Sequence, residues 1–129
     1  MGGLVALLAV LRRPDRVRRL VLTATSGDLD LARFSVEDWR PEYVREFPGA
    51  APWILIARAD LSDQRPAVQC PTLLLWGDAD PISPPAVGEH LVKILPSARL
   101  VVIAGGGHAF ARERADEVAP PVLRHLTGS

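Results

Sequence analysis

Three short apolar runs, with helical patterns between them, limit the fold of this chain more than any other feature. They lie at residues 18–23 (RRLVLT), 72–76 (TLLLW) and 99–103 (RLVVI). Each run is rich in leucine, isoleucine or valine and has the right length for a buried strand. Buried strands that alternate with helices are typical of a parallel sheet covered by helices on both faces. The sequence therefore predicts an α/β fold with three parallel strands.

Helical patterns flank the three runs. Residues 2–11 carry four leucines, and Val5 and Val10 widen their apolar face, so we expect nearly the whole helix to be buried. The proline pair at 84–85 precedes a second helix, which ends before the third apolar run. The proline pair at 120–121 should either start the last helix or kink it.

Residues 28–69 differ from the rest of the chain because they hold five of its seven aromatic residues. Trp39, Tyr43 and Phe47 recur every four residues, the spacing of one face of a helix. A second helical stretch is predicted from residue 53 to about residue 61. This segment therefore predicts a short helical insertion between the first and second strands.

Polar side chains follow the second and third strands. Asp78 and Asp80 come directly after the run at 72–76, and His108 follows the run at 99–103 after three glycines. The carboxyl ends of parallel strands meet at one edge of a sheet, where catalytic groups are commonly found. A carboxylate there can fix the tautomer of an imidazole, and the imidazole can deprotonate a nucleophile. The pattern therefore indicates an acid–base pair at this edge.

Two segments resemble the α/β-hydrolase family. LLLWGDADPISP is similar to the family's acid-bearing segment, in which Asp80 takes the place of the triad acid and Asp78 is the alternative. VVIAGGGHAF is similar to the family's histidine loop, in which His108 takes the place of the general base. The order of acid before histidine is also that of the family.

The beginning of the chain resembles the same family. Its members carry a nucleophile elbow, G-x-S-x-G, on a turn from strand to helix. Met1 aligns with the residue just after the nucleophile, and Gly2 aligns with the last glycine of the motif. The resemblance implies that the nucleophile would precede position 1 and that the Met1 backbone nitrogen stands where the family has an oxyanion-hole donor. It implies that residues 1–129 are a partial domain, the C-terminal half of the family's sheet, with a cap at about 28–69.

The function implied by this resemblance is that of a serine-type hydrolase acting on ester, thioester, lactone or amide bonds. We expect a carboxylesterase-like enzyme with a small acyl-type substrate and no cofactor, and we expect the 129-residue chain alone to be inactive. Two alternatives stay open. The chain could be a non-catalytic binding or structural remnant that forms a homodimer through an exposed strand at 18–23. It could also belong to a dehalogenase-type hydrolase with an aspartate nucleophile, or to an enzyme with a cysteine.

Composition argues against several other classes. Lys and Arg together number 15, as do Asp and Glu, which gives no support for a nucleic-acid or anionic-membrane partner. The apolar opening at residues 1–11 is shorter than the ~20 residues of a membrane span. Cys70 is the only cysteine, which suits a reducing compartment, and we expect a cytoplasmic protein.

The remaining histidines and the serines give weaker signals. His90 and His125 are expected at the surface. Three well-separated histidines and one cysteine do not form a metal-ligand pattern. No serine stands in a G-x-S-x-G pattern, so the serines are interpreted as turn or cap residues; those considered as substitute nucleophiles are Ser26, Ser35, Ser62, Ser83 and Ser97.

Overall fold

The computed structural model describes residues 2–26, 29–55 and 61–129, and three parallel strands form its centre. The strands are β1 (Leu20–Thr23), β2 (Thr72–Gly77) and β3 (Ala98–Ile103), in the spatial order β1-β2-β3. Every residue of β2 is buried, because β2 is the central strand and is covered on both faces. The predicted α/β fold with a three-stranded parallel sheet is confirmed.

Five α-helices surround the sheet in the described residues. They are α1 (Gly2–Arg12), α2 (Arg40–Glu46), α3 (Pro85–Ile94), α4 (Phe110–Glu113) and α5 (Ala115–Thr127). Alternate residues of β2 point to opposite faces of the sheet. Leu74 and Trp76 therefore join one apolar cluster with residues of α1 and α3, whereas Leu73 and Leu75 join a second cluster with Phe110 and Val118. None of the helices in the described ranges is long and apolar enough to cross a membrane.

Helix α1 is less buried than its composition predicts. Leu7 and Val10 are buried, but Val5 is 64% exposed. Only one face of α1 packs on the sheet, so the apolar residues that point elsewhere remain in contact with solvent. The prediction of near-complete burial for this helix was therefore wrong.

Helix α5 excludes one of the two predicted roles of the prolines at 120–121 and corrects the expected position of His125. It begins at Ala115, well before the prolines at 120–121, so these do not start it. Val118, Pro121 and His125 lie three and four residues apart, which places them on the same face, and all three are buried. His125 is therefore a buried residue, and its Nε2 is 3.0 Å from the carbonyl oxygen of Leu20. Its expected surface position was wrong because the face of the helix, not its closeness to the chain end, decides burial.

The described parts of the aromatic segment contain short helices and no strand. Helix α2 carries the predicted stripe, with ring centroids 5.5 Å apart for Trp39 and Tyr43 and 4.9 Å apart for Tyr43 and Phe47. The helix predicted from residue 53 begins as one 3-10 turn, Pro52–Leu55, and the rest of that prediction falls largely on residues 56–60, outside the described residues.

Candidate active site

The loops after β2 and β3 leave the same edge of the sheet and carry the polar residues singled out above. Gly77 at the end of β2 is in register with Ile103 at the end of β3. Asp80 follows β2 by three residues, and His108 follows β3 by five. The parallel register thus brings together two residues that lie 28 positions apart in the chain.

Backbone hydrogen bonds join the two loops directly. The Asp78 N–H donates to the Ile103 carbonyl oxygen at 3.2 Å, and the Ala79 N–H donates to the Gly106 carbonyl oxygen at 3.0 Å. Gly77 and Gly106 are in backbone contact, since a Cβ atom on Gly77 would lie only 2.1 Å from the Gly106 oxygen. Glycine at position 77 is therefore needed for the loops to approach this closely.

Asp78 takes part in this junction. One of its carboxylate oxygens accepts a hydrogen bond from the Gly105 N–H at 2.6 Å. Gly105 has a φ of +69°, a left-handed conformation that favours glycine. The alternative acid of the sequence pattern therefore holds the turn that leads to His108, and Asp80 is the aspartate whose carboxylate meets the histidine ring.

The Asp80 carboxylate is fully buried, with 0% of its side chain exposed. Its Oδ1 accepts hydrogen bonds from the Ile82 N–H at 2.8 Å and the Ser83 N–H at 3.0 Å. Its Oδ2 lies 2.8 Å from His108 Nδ1. Burial of a carboxylate is tolerated only when its oxygens are hydrogen-bonded, and here both are. The loop therefore presents the second oxygen to the histidine in a fixed orientation.

The His108 ring is held at one nitrogen and open at the other. An ionised carboxylate can only accept hydrogen bonds, so Nδ1 must carry the proton in the contact with Asp80. Nε2 then has its lone pair free to accept a proton, while 45% of the side chain remains exposed. This is the arrangement of a general base that is oriented by a carboxylate.

A cavity of about 1040 Å³ lies beside His108. Its wall includes the aromatic side chains of Trp39, Tyr43 and Trp53 and also contains charged groups. Two of these charges, on Asp38 and Arg40, form an ion pair at 2.7 Å. The wall of the cavity therefore combines apolar and charged residues with His108, as ligand sites commonly do.

Three of the serines considered as substitute nucleophiles, Ser26, Ser62 and Ser83, line the same cavity as His108. Met1 lies outside the described residues. Over the ranges 2–26, 29–55 and 61–129, no hydrogen bond joins a serine hydroxyl to His108, and no cluster of His, Cys, Asp and Glu could hold a metal ion. His90 packs against Phe34 with ring centroids 5.8 Å apart.

Ser83 was considered as a substitute nucleophile and interpreted as a turn or cap residue, and no contact with the acid was predicted for it. Ser83 is 2% exposed, and its backbone N–H binds Asp80. Asp80 Oδ1 accepts from the N–H groups two and three residues on, and the first of these bonds, from Ile82, has the Asx-turn spacing. That spacing is the local signal that could have drawn attention to Ser83 next to it.

The sequence of this chain is similar to those of known proteins. Residues 44–114 match the family model of the alpha/beta hydrolase fold. The chain is 30% identical over 153 residues to the pimeloyl-[acyl-carrier protein] methyl ester esterase of Neisseria meningitidis serogroup C, and the match covers 84% of this chain and 60% of that esterase.

Solved structures show the same fold. MGS-MChE2, an alpha/beta hydrolase enzyme from the metagenome of sediments of the Mar Chica lagoon in Morocco, matches with a TM-score of 0.76 and 27% identity, over 98% of this chain and 57% of that one. A thermophilic esterase from Thermogutta terrifontis matches with a TM-score of 0.74 and 25% identity, over 98% of this chain and 62% of that one. These three relatives are hydrolases, two of them esterases, and this chain spans about 60% of their length.

Proposed function

The chain belongs to the α/β-hydrolase fold family, and we propose that Asp80 and His108 form the acid–base pair of a carboxylesterase-like hydrolase. The observation that carries this proposal is the 2.8 Å contact between His108 Nδ1 and a carboxylate that is completely buried. The esterases among the relatives favour an ester substrate. Thioesters, lactones and amides would be cleaved by the same chemistry.

In this proposal, His108 Nε2 takes the proton of a serine hydroxyl as that oxygen attacks the carbonyl carbon of the substrate. Asp80 stabilises the resulting imidazolium, which then protonates the leaving group as the acyl–enzyme forms. A water molecule, deprotonated by the same nitrogen, attacks the acyl–enzyme and releases the acid. The nucleophile would occupy the position before Met1 in the family's elbow, and the Met1 nitrogen would be the oxyanion-hole donor.

The substrate side of the proposal comes from the cavity. We propose that residues 28–69 act as the cap and that the aromatic wall formed by Trp39, Tyr43 and Trp53 receives an apolar acyl group. The polar groups of the same cavity can face the ester itself. A small acyl-type ester fits this arrangement.

The test compares the 129-residue chain with the same chain preceded by its native upstream coding sequence, using short p-nitrophenyl esters. The extended protein should hydrolyse them, and the 129-residue chain should not, because none of its serines stands in the elbow pattern. Asp80→Asn should lower kcat of the extended protein by roughly a thousand-fold or more, because an amide favours the wrong histidine tautomer. Asp116→Asn, which changes an exposed aspartate on α5, is the matched control and should leave kcat unchanged. Full activity of Asp80→Asn would remove this residue from the triad.

A second candidate function is self-association, and the position of β1 favours it. In the described residues β1 is an edge strand of the sheet, paired only with β2. An apolar edge strand has backbone groups that a second copy of the chain can pair with. We propose this homodimer as the alternative for the 129-residue chain.

A further inference from the structure

The Ser83 side chain connects the acid loop to the end of β1. Its Oγ accepts a hydrogen bond from the Trp76 indole N–H at 3.2 Å and donates one to the Thr25 carbonyl oxygen at 3.4 Å. All three residues are buried, with Trp76 at 0% and Ser83 at 2% exposed. One hydroxyl group therefore joins the central strand, the acid loop and the segment that follows β1.

The same residue also contacts the acid directly. The Ser83 backbone N–H is one of the two donors to Asp80 Oδ1. A displacement of Ser83 would rotate the carboxylate and change the direction in which Oδ2 meets His108. The orientation of the proposed base thus depends on where the Ser83 hydroxyl is held.

The far end of this connection lies beside helix α1. A Cβ atom on Gly3 would lie 2.2 Å from Thr25 Oγ1, so the first turn of α1 packs tightly against Thr25. In the function proposed above, the nucleophile stands just before this turn. The chain of contacts therefore runs from the histidine loop to the helix that would carry the nucleophile on its N-terminal side.

We infer that Ser83 is a positioning residue, whose hydroxyl bridge from Trp76 to Thr25 sets the place of the Asp80–His108 pair relative to the first turn of α1. This inference rests on the proposed function for its catalytic consequence. Its structural part, the control of the His108 ring by Ser83, can be measured without turnover. A shift of about 1 Å in a catalytic group can lower a rate substantially, so a small movement of this bridge matters.

The first measurement uses the 129-residue chain and ¹⁵N NMR of the histidine rings. In the wild-type chain His108 should be held as the Nδ1–H tautomer. Ser83→Ala should give a mixture of the two tautomers, and Ser83→Thr, which keeps a hydroxyl, should restore the single form. Equal spectra for wild type and folded Ser83→Ala would overturn the inference.

A double variant separates positioning from simple loss of stability. Ser83→Ala leaves the buried indole N–H of Trp76 without its acceptor, which by itself can destabilise the fold. Trp76→Phe combined with Ser83→Ala removes that unpaired donor but also lacks the bridge. The tautomer mixture should persist in the double variant, and its disappearance would show that the unpaired indole, not the lost bridge, was the cause.

The second measurement uses the extended protein and p-nitrophenyl esters. Ser83→Ala should lower kcat by about ten-fold with KM changed less than about two-fold, and Ser83→Thr should recover most of the loss. An unchanged kcat would contradict the inference. If Asp80→Asn is fully active the proposed function fails, whereas the NMR result on Ser83 remains valid on its own.

Discussion

The contact between Gly77 and Gly106 yields a stability prediction whose size follows from the structure. A Cβ atom on Gly77 would lie 2.1 Å from the Gly106 carbonyl oxygen and 2.5 Å from its carbonyl carbon. Both are backbone atoms and cannot rotate away as the end of a long side chain could. Since Cβ atoms essentially never approach closer than 3.0 Å, Gly77→Ala must push the two loops apart by about 1 Å.

The displacement would break hydrogen bonds as well as create strain. The bond from the Ala79 N–H to the Gly106 oxygen is 3.0 Å long, and an increase of about 1 Å takes it beyond hydrogen-bonding distance. Overpacking costs about 1–3 kcal/mol, and a lost hydrogen bond costs about 1 kcal/mol. We therefore expect Gly77→Ala to lower the free energy of unfolding by about 3 kcal/mol.

Gly107→Ala is the matched control, because it makes the same substitution in the same pair of loops. A Cβ atom on Gly107 has nothing within 4 Å, so its effect should be within about 0.5 kcal/mol. Urea unfolding followed by circular dichroism measures both variants against the wild-type chain. Equal midpoints for Gly77→Ala and Gly107→Ala would refute the argument that close backbone packing holds these loops together.

Two further predictions concern pH and assembly. Burial lowers the pKa of His125, helped by the nearby Arg99 and Arg19, so the unfolded chain binds a proton more readily than the folded chain does. The free energy of unfolding should thus fall as the pH drops from about 7.5 to about 5. Urea unfolding of His125→Gln at the same pH values should show a smaller fall. An equal fall in the variant and the wild-type chain would contradict the role of His125. The proposed homodimer should appear in sedimentation of the wild-type chain and disappear in Thr23→Pro. The reason is that the N–H groups of residues 20 and 24 bond on the side of β2, whereas that of Thr23 points to the free edge of the sheet. A wild-type chain that stays monomeric at high concentration would contradict the proposed homodimer.

The strands could be predicted from the sequence because their signal is local. Short runs of leucine and valine between breaking residues favour a buried strand, and β1, β2 and β3 match the predicted runs to within two residues. Helix burial is different, because it depends on which neighbours are present. The sequence around Val5 and around His125 predicts a helix but does not show which of its faces is buried. The packing of α1 and α5 on the sheet leaves Val5 exposed and buries His125.

The acid–base pair could be proposed in advance for a related reason. Parallel topology places the ends of neighbouring strands together, so residues after β2 and β3 must meet at one edge. No sequence pattern indicates which oxygen of Asp80 faces His108, or that Asp78 accepts the hydrogen bond of the Gly105 N–H instead. Those contacts depend on the register of the two strands to a single residue. The bridge through Ser83 is less predictable still, because its partner Thr25 lies 58 residues away.

The proposed chemistry and the proposed substrate selection reside in different parts of the chain. Asp80, His108 and the backbone hydrogen bonds that orient them all lie between the end of β2 and the start of α4. The aromatic wall of the cavity comes instead from Trp39, Tyr43 and Trp53, in the segment between β1 and β2. Substitutions in that wall can therefore change which acyl group fits without moving the base. The hydrogen bond from Ser83 to Thr25 connects these two parts of the chain, because Thr25 lies between β1 and the aromatic residues.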